Sequence, residues 1–213
     1  MLKYLGKIKF IGDLSLEDAD ILSKYAKQST NILEFGVGGS TQILAQCFPD
    51  KLVSVDNNQF WIDVTDKRIR SLENKVSPEF HFWNPDDNST DPYLIFSEYK
   101  SNSFDMIFVD GFWHYRKTFA RASWNLLKPG GVVIFHDTRR DFDFEIAIDF
   151  AKEKFTEIKL IETNAEASNG KSSNMTVLHK KVAEPYVNWH ETEGKPEWAY
   201  GDPSYDGKLL PWQ

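Results

Sequence analysis

The chain is poor in cysteine: Cys47 stands alone among 213 residues. An internal disulfide is excluded, and the composition fits a reducing, cytoplasmic setting. Long apolar runs are missing too. None approaches the roughly 20 residues that span a bilayer, so no membrane partner is expected. The segment Met1-Leu2-Lys3-Tyr4-Leu5-Gly6-Lys7-Ile8 is too short and too broken by lysine to read as a signal peptide. Basic residues are outnumbered, 25 Lys and Arg against 32 Asp and Glu, for a net charge of -7. That balance speaks against a nucleic-acid backbone as the main partner. What is present is 41% hydrophobic and 15% aromatic, enough for one domain with a sizeable core. Nothing in the composition decides between a monomer and a homo-oligomer.

Apolar runs alternate with helical spacing, the pattern of a parallel sheet covered by helices. Ser15 with Asp18 approximates a capping box, and Ala19, Leu22, Tyr25 and Ala26 give the helix behind it an apolar face. Strands are expected at Ile32–Phe35, Leu52–Val55, Glu79–Trp83, Met106–Val109, Val132–Phe135, Ile158–Ile161 and Met175–His179. Helices are expected from Ser40 to Phe48, through Phe60, Trp61, Val64 and Leu72, along Tyr115, Phe119, Ala122 and Leu126, and through Phe144, Ala147, Ile148, Ala151 and Phe155. Pro129-Gly130-Gly131 reads as a helix stop before the fifth strand. Asn84 to Pro92, with two prolines and three aspartates, reads as a loop. After Lys181 the chain loses any period, yet Tyr186, Trp189, Trp198, Tyr200, Tyr205 and Trp212 make it too aromatic for ordinary disorder. A tail that wraps the domain, covers a site or docks a partner is the expectation.

The most informative stretch is Asn31 to Thr41, Asn-Ile-Leu-Glu-Phe-Gly-Val-Gly-Gly-Ser-Thr. A buried strand ends in an acid and breaks into a glycine turn that opens a helix. Such turns let backbone approach a ligand closely and present unpaired N–H groups. Asp56, about twenty residues on, closes the second strand where a carboxylate can accept both hydroxyls of a ribose. Dinucleotide binders use this layout with Gly-x-Gly-x-x-Gly, but here Thr41 takes the third glycine's place, and Glu34 suits a pyrophosphate badly. A cationic aminoacyl sulfonium suits Glu34 well, which favours S-adenosylmethionine.

Glu34-Phe35-Gly36-Val37-Gly38-Gly39-Ser40-Thr41, Val55-Asp56, Phe104-Asp105-Met106-Ile107-Phe108-Val109-Asp110-Gly111 and Leu127-Lys128-Pro129-Gly130-Gly131 occur in that order. Together they resemble a Rossmann-like (class I) S-adenosylmethionine-dependent methyltransferase over roughly residues 31–181. The resemblance implies an α/β fold: a seven-stranded, mostly parallel sheet with helices on both faces and its last strand antiparallel. It implies a methyltransferase domain over residues 1–182 and an aromatic-rich tail over 183–213. It places Glu34, Phe35, Gly36, Gly38, Gly39, Ser40 and Thr41 around the methionine moiety, and Asp56 and Asn57 at the ribose. Trp83, Asn84, Asp86 and Asp87 become candidates for the adenine. Ser40 departs from the glycine that many members carry and makes the helix entry tighter.

Methyl transfer from a sulfonium needs alignment of the acceptor and, for a poor nucleophile, a base. Asp110, His114, His136 and Asp137 fall at the ends of the fourth and fifth strands, where imidazoles and carboxylates can supply a base or hold a divalent ion. Val109-Asp110-Gly111-Phe112-Trp113-His114-Tyr115 with Phe135-His136-Asp137-Thr138 is similar to small-molecule O-methyltransferases that bind magnesium. That similarity implies Asp110 and Asp137 as metal ligands, His114 as base, and a small-molecule acceptor such as a sugar or secondary metabolite, methylated on oxygen rather than nitrogen. Trp113 stands where the subgroup's histidine usually falls, and His136 where an acid is common. Asp202-Pro203-Ser204-Tyr205 looks like the signature of amine-methylating DNA enzymes but sits in the tail, not after the fourth strand, and turn chemistry accounts for it. The competing functions are a non-catalytic scaffold that keeps the fold and docks a partner through its tail, and a nicotinamide-dependent oxidoreductase.

Overall fold

The computed structural model describes residues 14–84, 86, 95–138, 150, 157–161 and 175–180. The helix predicted around Phe144 to Phe155 (Phe150 apart), the acidic loop after Asn84 (Asp86 apart) and the tail lie outside the described residues. Among the described residues seven strands make one sheet: β1 (Asn31–Phe35), β2 (Lys51–Asp56), β3 (Glu79–Phe82), β4 (Phe104–Val109), β5 (Leu127–His136), β6 (Glu157–Ile161) and β7 (Met175–His179). Their order is β3-β2-β1-β4-β5-β7-β6. Pairing is parallel from β3 through β5, and β7 runs antiparallel to both β5 and β6.

Four helices are described: α1 (Leu16–Ala26), α2 (Gly39–Ala45), α3 (Gln59–Arg70) and α4 (Arg116–Ser123), the last flanked by 3-10 turns at Trp113–Tyr115 and Trp124–Leu126. The box at Ser15 is present in both directions. Asp18 N–H donates to Ser15 Oγ, and Ser15 N–H donates to Asp18 Oδ2, each at 3.1 Å. The central strands are buried on both faces, so alternate residues feed two cores. Leu33, Phe35, Val53, Val55, Ile107, Val109, Val133 and Phe135 pack with Trp83 and with Phe119 of α4. Ile32, Leu52, Met106, Phe108 and Ile134 pack on the other side with Ala19, Leu22 and Ala26 of α1 and Ile43 and Leu44 of α2.

Three local expectations are corrected. The buried face of α3 is Ile62, Thr65 and Ile69, while Phe60 and Trp61 point outward at 64% and 39% exposure. Trp83 is a core residue rather than an adenine platform, packed edge-on against Phe119 with ring centroids 4.9 Å apart. The Pro-Gly-Gly segment lies inside β5, which starts at Leu127, with the β4 pairing shifting register between Phe104 and Met106. Gly130 there has φ of 80°, and its N–H still donates to Lys180 O at 2.8 Å, so the segment bends the strand without ending it.

The chain order reverses between β1 and β4: β2 and β3 lie on one side, β5 to β7 on the other. Open α/β sheets bind ligands at that switch point, outside the carboxyl ends of the strands. The candidate residues converge there.

Candidate active site

Two loops meet at the switch point. Asp110 N–H donates to Phe35 O at 2.8 Å, and Gly36 N–H donates to Val55 O at 2.9 Å. Gly36 has φ of 95°, and a Cβ on it would lie 2.5 Å from Gly111 N and 2.6 Å from the Asp110 carbonyl carbon. Only glycine lets the backbone after β1 pass that of β4 so closely. Above them opens a cleft of about 720 Å³, walled by Gly36 to Ser40, Asp56 to Gln59, Trp61, Asp110 to Trp113, Arg116 and Asp137.

Asp56 ties the first two strands' loops together. Its carboxylate accepts from Val37 N–H at 2.7 Å and from Asn58 N–H at 2.8 Å. Burial raises its pKa, and those backbone donors oppose the rise. A carboxylate has about four lone-pair positions, so its two backbone donors leave acceptor capacity on the cleft wall. Asn57 stands beside it in that wall.

Glu34 is fully buried beneath the glycine loop rather than on its surface. Ser40 Oγ donates to Oε1 at 2.5 Å, and Ser54 Oγ donates to Oε2 at 2.7 Å. Burial pushes its pKa up to about 7, against the lowering effect of those donors. Thr41 is buried too, its Oγ1 accepting from Gly38 N–H at 2.9 Å. Phe35 stacks on Phe119 in the core, with ring centroids 4.5 Å apart. These three residues shape the loop from below, whereas Gly36, Gly38, Gly39 and Ser40 face the cleft. Asn84 lies off the cleft wall, its Oδ1 accepting from Asp86 N–H at 3.1 Å.

The other wall carries charge. Asp110, at the end of β4, has a side chain 22% exposed, with His136 Nδ1 2.8 Å from its Oδ1. His136 is completely buried, and Asp18 Oδ2 of α1 lies 3.5 Å from its Nε2. Burial works against the imidazolium, but Asp110, Asp18 and Asp137 prevail and hold the pKa at about 10. The surrounding carboxylates thus favour the protonated ring, which is buried and does not wall the cleft. His114 lies off the cleft wall, exposed in the 3-10 turn, its ring against Trp113. Asp137 takes a left-handed φ of 59° that turns it onto the cleft wall.

Two functional-looking residues escaped the sequence reading. Arg116, the first residue of α4, is buried and donates through Nε to Gly111 O at 3.0 Å and through a terminal nitrogen to His136 O at 2.6 Å. Asp18, read only as a helix cap, also faces His136 from more than a hundred residues away. Neither carries a local sequence signal for these contacts.

A glycine loop, a strand-end acid and a polar wall around one cleft at the switch point are the layout in which α/β enzymes hold adenine-containing cofactors. Residues 33–138, which span that whole cleft and make up just under half of the chain, match a family model described as a methyltransferase domain. No curated protein matches the chain. Among solved structures, an O-methyltransferase from Bacillus cereus in complex with S-adenosylhomocysteine is similar at TM-score 0.63 and 19% identity, covering 83% of this chain and 86% of its own. TomG from Streptomyces achromogenes, an O-methyltransferase of tomaymycin synthesis in complex with S-adenosylmethionine, gives 0.63 and 19% over 78% and 81%. An S-adenosylmethionine-dependent O-methyltransferase from Thermotoga maritima gives 0.63 and 12% over 85% and 71%. At such identities the likeness carries the fold. Among the described residues no helix is long and apolar enough to cross a membrane.

Proposed function

We propose that the protein transfers a methyl group from S-adenosylmethionine to an oxygen of a small molecule, with the cofactor in the cleft above Gly36 and Gly38. The observation that carries this reading is the cleft itself: it opens at the switch point of a methyltransferase sheet, between a glycine loop and Asp56 on one side and Asp110 on the other. Solved proteins of the same fold hold S-adenosylmethionine or S-adenosylhomocysteine and are O-methyltransferases.

When bound, the cofactor supplies an electrophilic methyl carbon on a cationic sulfur. The chain's own residues do the rest. Gly38 leaves open space, since a Cβ there would meet nothing within 4 Å. Asp56 and Asn57 receive the ribose hydroxyls through their remaining acceptor capacity. Asp110, exposed to the cleft and oriented by His136, accepts a hydrogen bond from the acceptor's hydroxyl and takes its proton as oxygen attacks. Trp61, Phe112 and Trp113 give the cleft rim an apolar surface against which the acceptor packs.

Isothermal titration of the folded protein with S-adenosylmethionine and S-adenosylhomocysteine tests the reading. One-site binding of both is expected. If a protein with a cooperative melt binds neither, the proposal is wrong.

A further inference from the structure

The resemblance to magnesium-binding O-methyltransferases raises the question whether these residues suit a divalent ion. Asp110, His136 and Asp137 do bring potential ligand atoms within 4.8 Å of one another. Magnesium, however, demands near-octahedral oxygen coordination, and this set offers two carboxylates and an imidazole. The imidazole's Nδ1 already lies 2.8 Å from Asp110 Oδ1. To ligate an ion it would have to give up that contact.

A cation already stands among the carboxylates. Arg116 is held by two backbone carbonyls, Gly111 O after β4 and His136 O at the end of β5. Its other terminal nitrogen lies 3.4 Å from Asp110 Oδ1 and 4.0 Å from Asp137 Oδ2. The guanidinium thus bridges the two acids that the resemblance names as metal ligands, and it is buried by the same loops that form the cleft. A divalent ion between Asp110 and Asp137 would sit against a permanent like charge that the two carbonyls keep from moving away.

We propose that Arg116 is the resident cation of this site and that methyl transfer here is metal-independent. This rests on the methyltransferase reading above. Arg116 acts as a positioning residue: it keeps Asp110 and Asp137 side by side on the cleft wall, the work a metal would otherwise do.

The test uses the full chain, with Mn2+ followed by electron paramagnetic resonance as the metal probe and S-adenosylhomocysteine titration as a separate arm. After EDTA treatment and desalting, the wild-type protein and Arg116→Lys should leave the free Mn2+ signal unchanged. Arg116→Met, which keeps an unbranched stem and removes the charge, should bind Mn2+ roughly ten-fold or more tightly than wild type. A wild-type protein that binds one Mn2+, released by Asp137→Asn, overturns the proposal, and so does a folded Arg116→Met that binds no better than wild type. Should Arg116→Met fail to fold, the wild-type and Asp137→Asn titrations still decide. Failure of S-adenosylhomocysteine to bind wild type would sink the methyltransferase reading while leaving the Mn2+ result to stand by itself.

Discussion

Gly36 and Gly38 lie two residues apart in one loop, yet replacing them should have opposite consequences. At Gly36 an alanine must adopt φ near 95°, a conformation that costs an L-residue roughly 1–2 kcal/mol. Its Cβ would also meet Gly111 N, the Asp110 carbonyl carbon and Gly111 Cα at 2.5, 2.6 and 2.7 Å. All three are backbone atoms that cannot swing away. Relief requires parting the loops after β1 and β4, and overpacking of this kind adds about 1–3 kcal/mol. Gly36→Ala should therefore destabilise the fold by about 3 kcal/mol and lower Tm by roughly 6–12 °C for a chain of this size. At Gly38 the added methyl touches no protein atom within 4 Å and points into the open cleft. Gly38→Ala should melt within about 2 °C of wild type. Its affinity for S-adenosylhomocysteine should fall roughly ten-fold or more, equivalent to about 1.4 kcal/mol. Scanning calorimetry and isothermal titration on the same two variants separate the effects. A Gly36→Ala protein that melts like wild type, or a Gly38→Ala protein that binds as tightly, would refute the assignment of one glycine to the fold and the other to the ligand.

Glu34→Gln should flatten the pH dependence of stability. The folded pKa of Glu34 is raised from 4.5 to about 7, so its favourable contribution is complete below 4.5 and is lost as pH rises through 7. That loss amounts to about 3 kcal/mol, and denaturant melts between pH 4.5 and 8 should show it in wild type and not in the variant. Asp56→Ala should weaken S-adenosylhomocysteine binding roughly 100-fold, since it removes a ribose acceptor and frees the Val37 and Asn58 amides; an unchanged Kd would remove Asp56 from the site. Phe119→Ala should cost about 3–5 kcal/mol in chemical denaturation, because the ring fills the space between Phe35 and Trp83; a loss under about 1 kcal/mol would mean that this core repacks freely.

Much of the fold was legible because its central strands are buried on both faces. A strand with two apolar faces reads as a continuous run, which is why β1, β2, β4 and β5 stood out with errors of a few residues at their ends. The Ser15–Asp18 box was legible because a cap is a local device. The failures have physical reasons as well. Phe60 and Trp61 are large and apolar, so they drew the buried face of α3 toward themselves, although the Ile62, Thr65 and Ile69 spacing was equally visible in the sequence. Trp83 follows a strand and precedes a polar loop, and nothing local says that its ring turns inward to meet Phe119. Pro129-Gly130-Gly131 has the composition of a stop but sits beside a partner strand that supplies its backbone bonds. At the site, the glycine loop and the two strand-end acids announced themselves, whereas nothing in the sequence around Arg116 marks it as part of the cleft.

The charges on the cleft wall make sense only as a set. Asp18, Asp110 and Asp137 surround His136 and Arg116, three carboxylates against two cations within a few ångströms. Breaking one partner of such a buried set leaves another uncompensated, and that costs far more than the pair contributes. The set draws on α1, on the ends of β4 and β5, and on the first turn of α4, so the docking of α1 is coupled to the electrostatic state of the cleft. Asp18 shows how: one carboxylate caps its own helix through Ser15 and faces the imidazolium of His136. His136 in turn fixes Asp110 on the cleft wall. A surplus of one negative charge beside the cleft is the field into which a cationic methyl donor would bind.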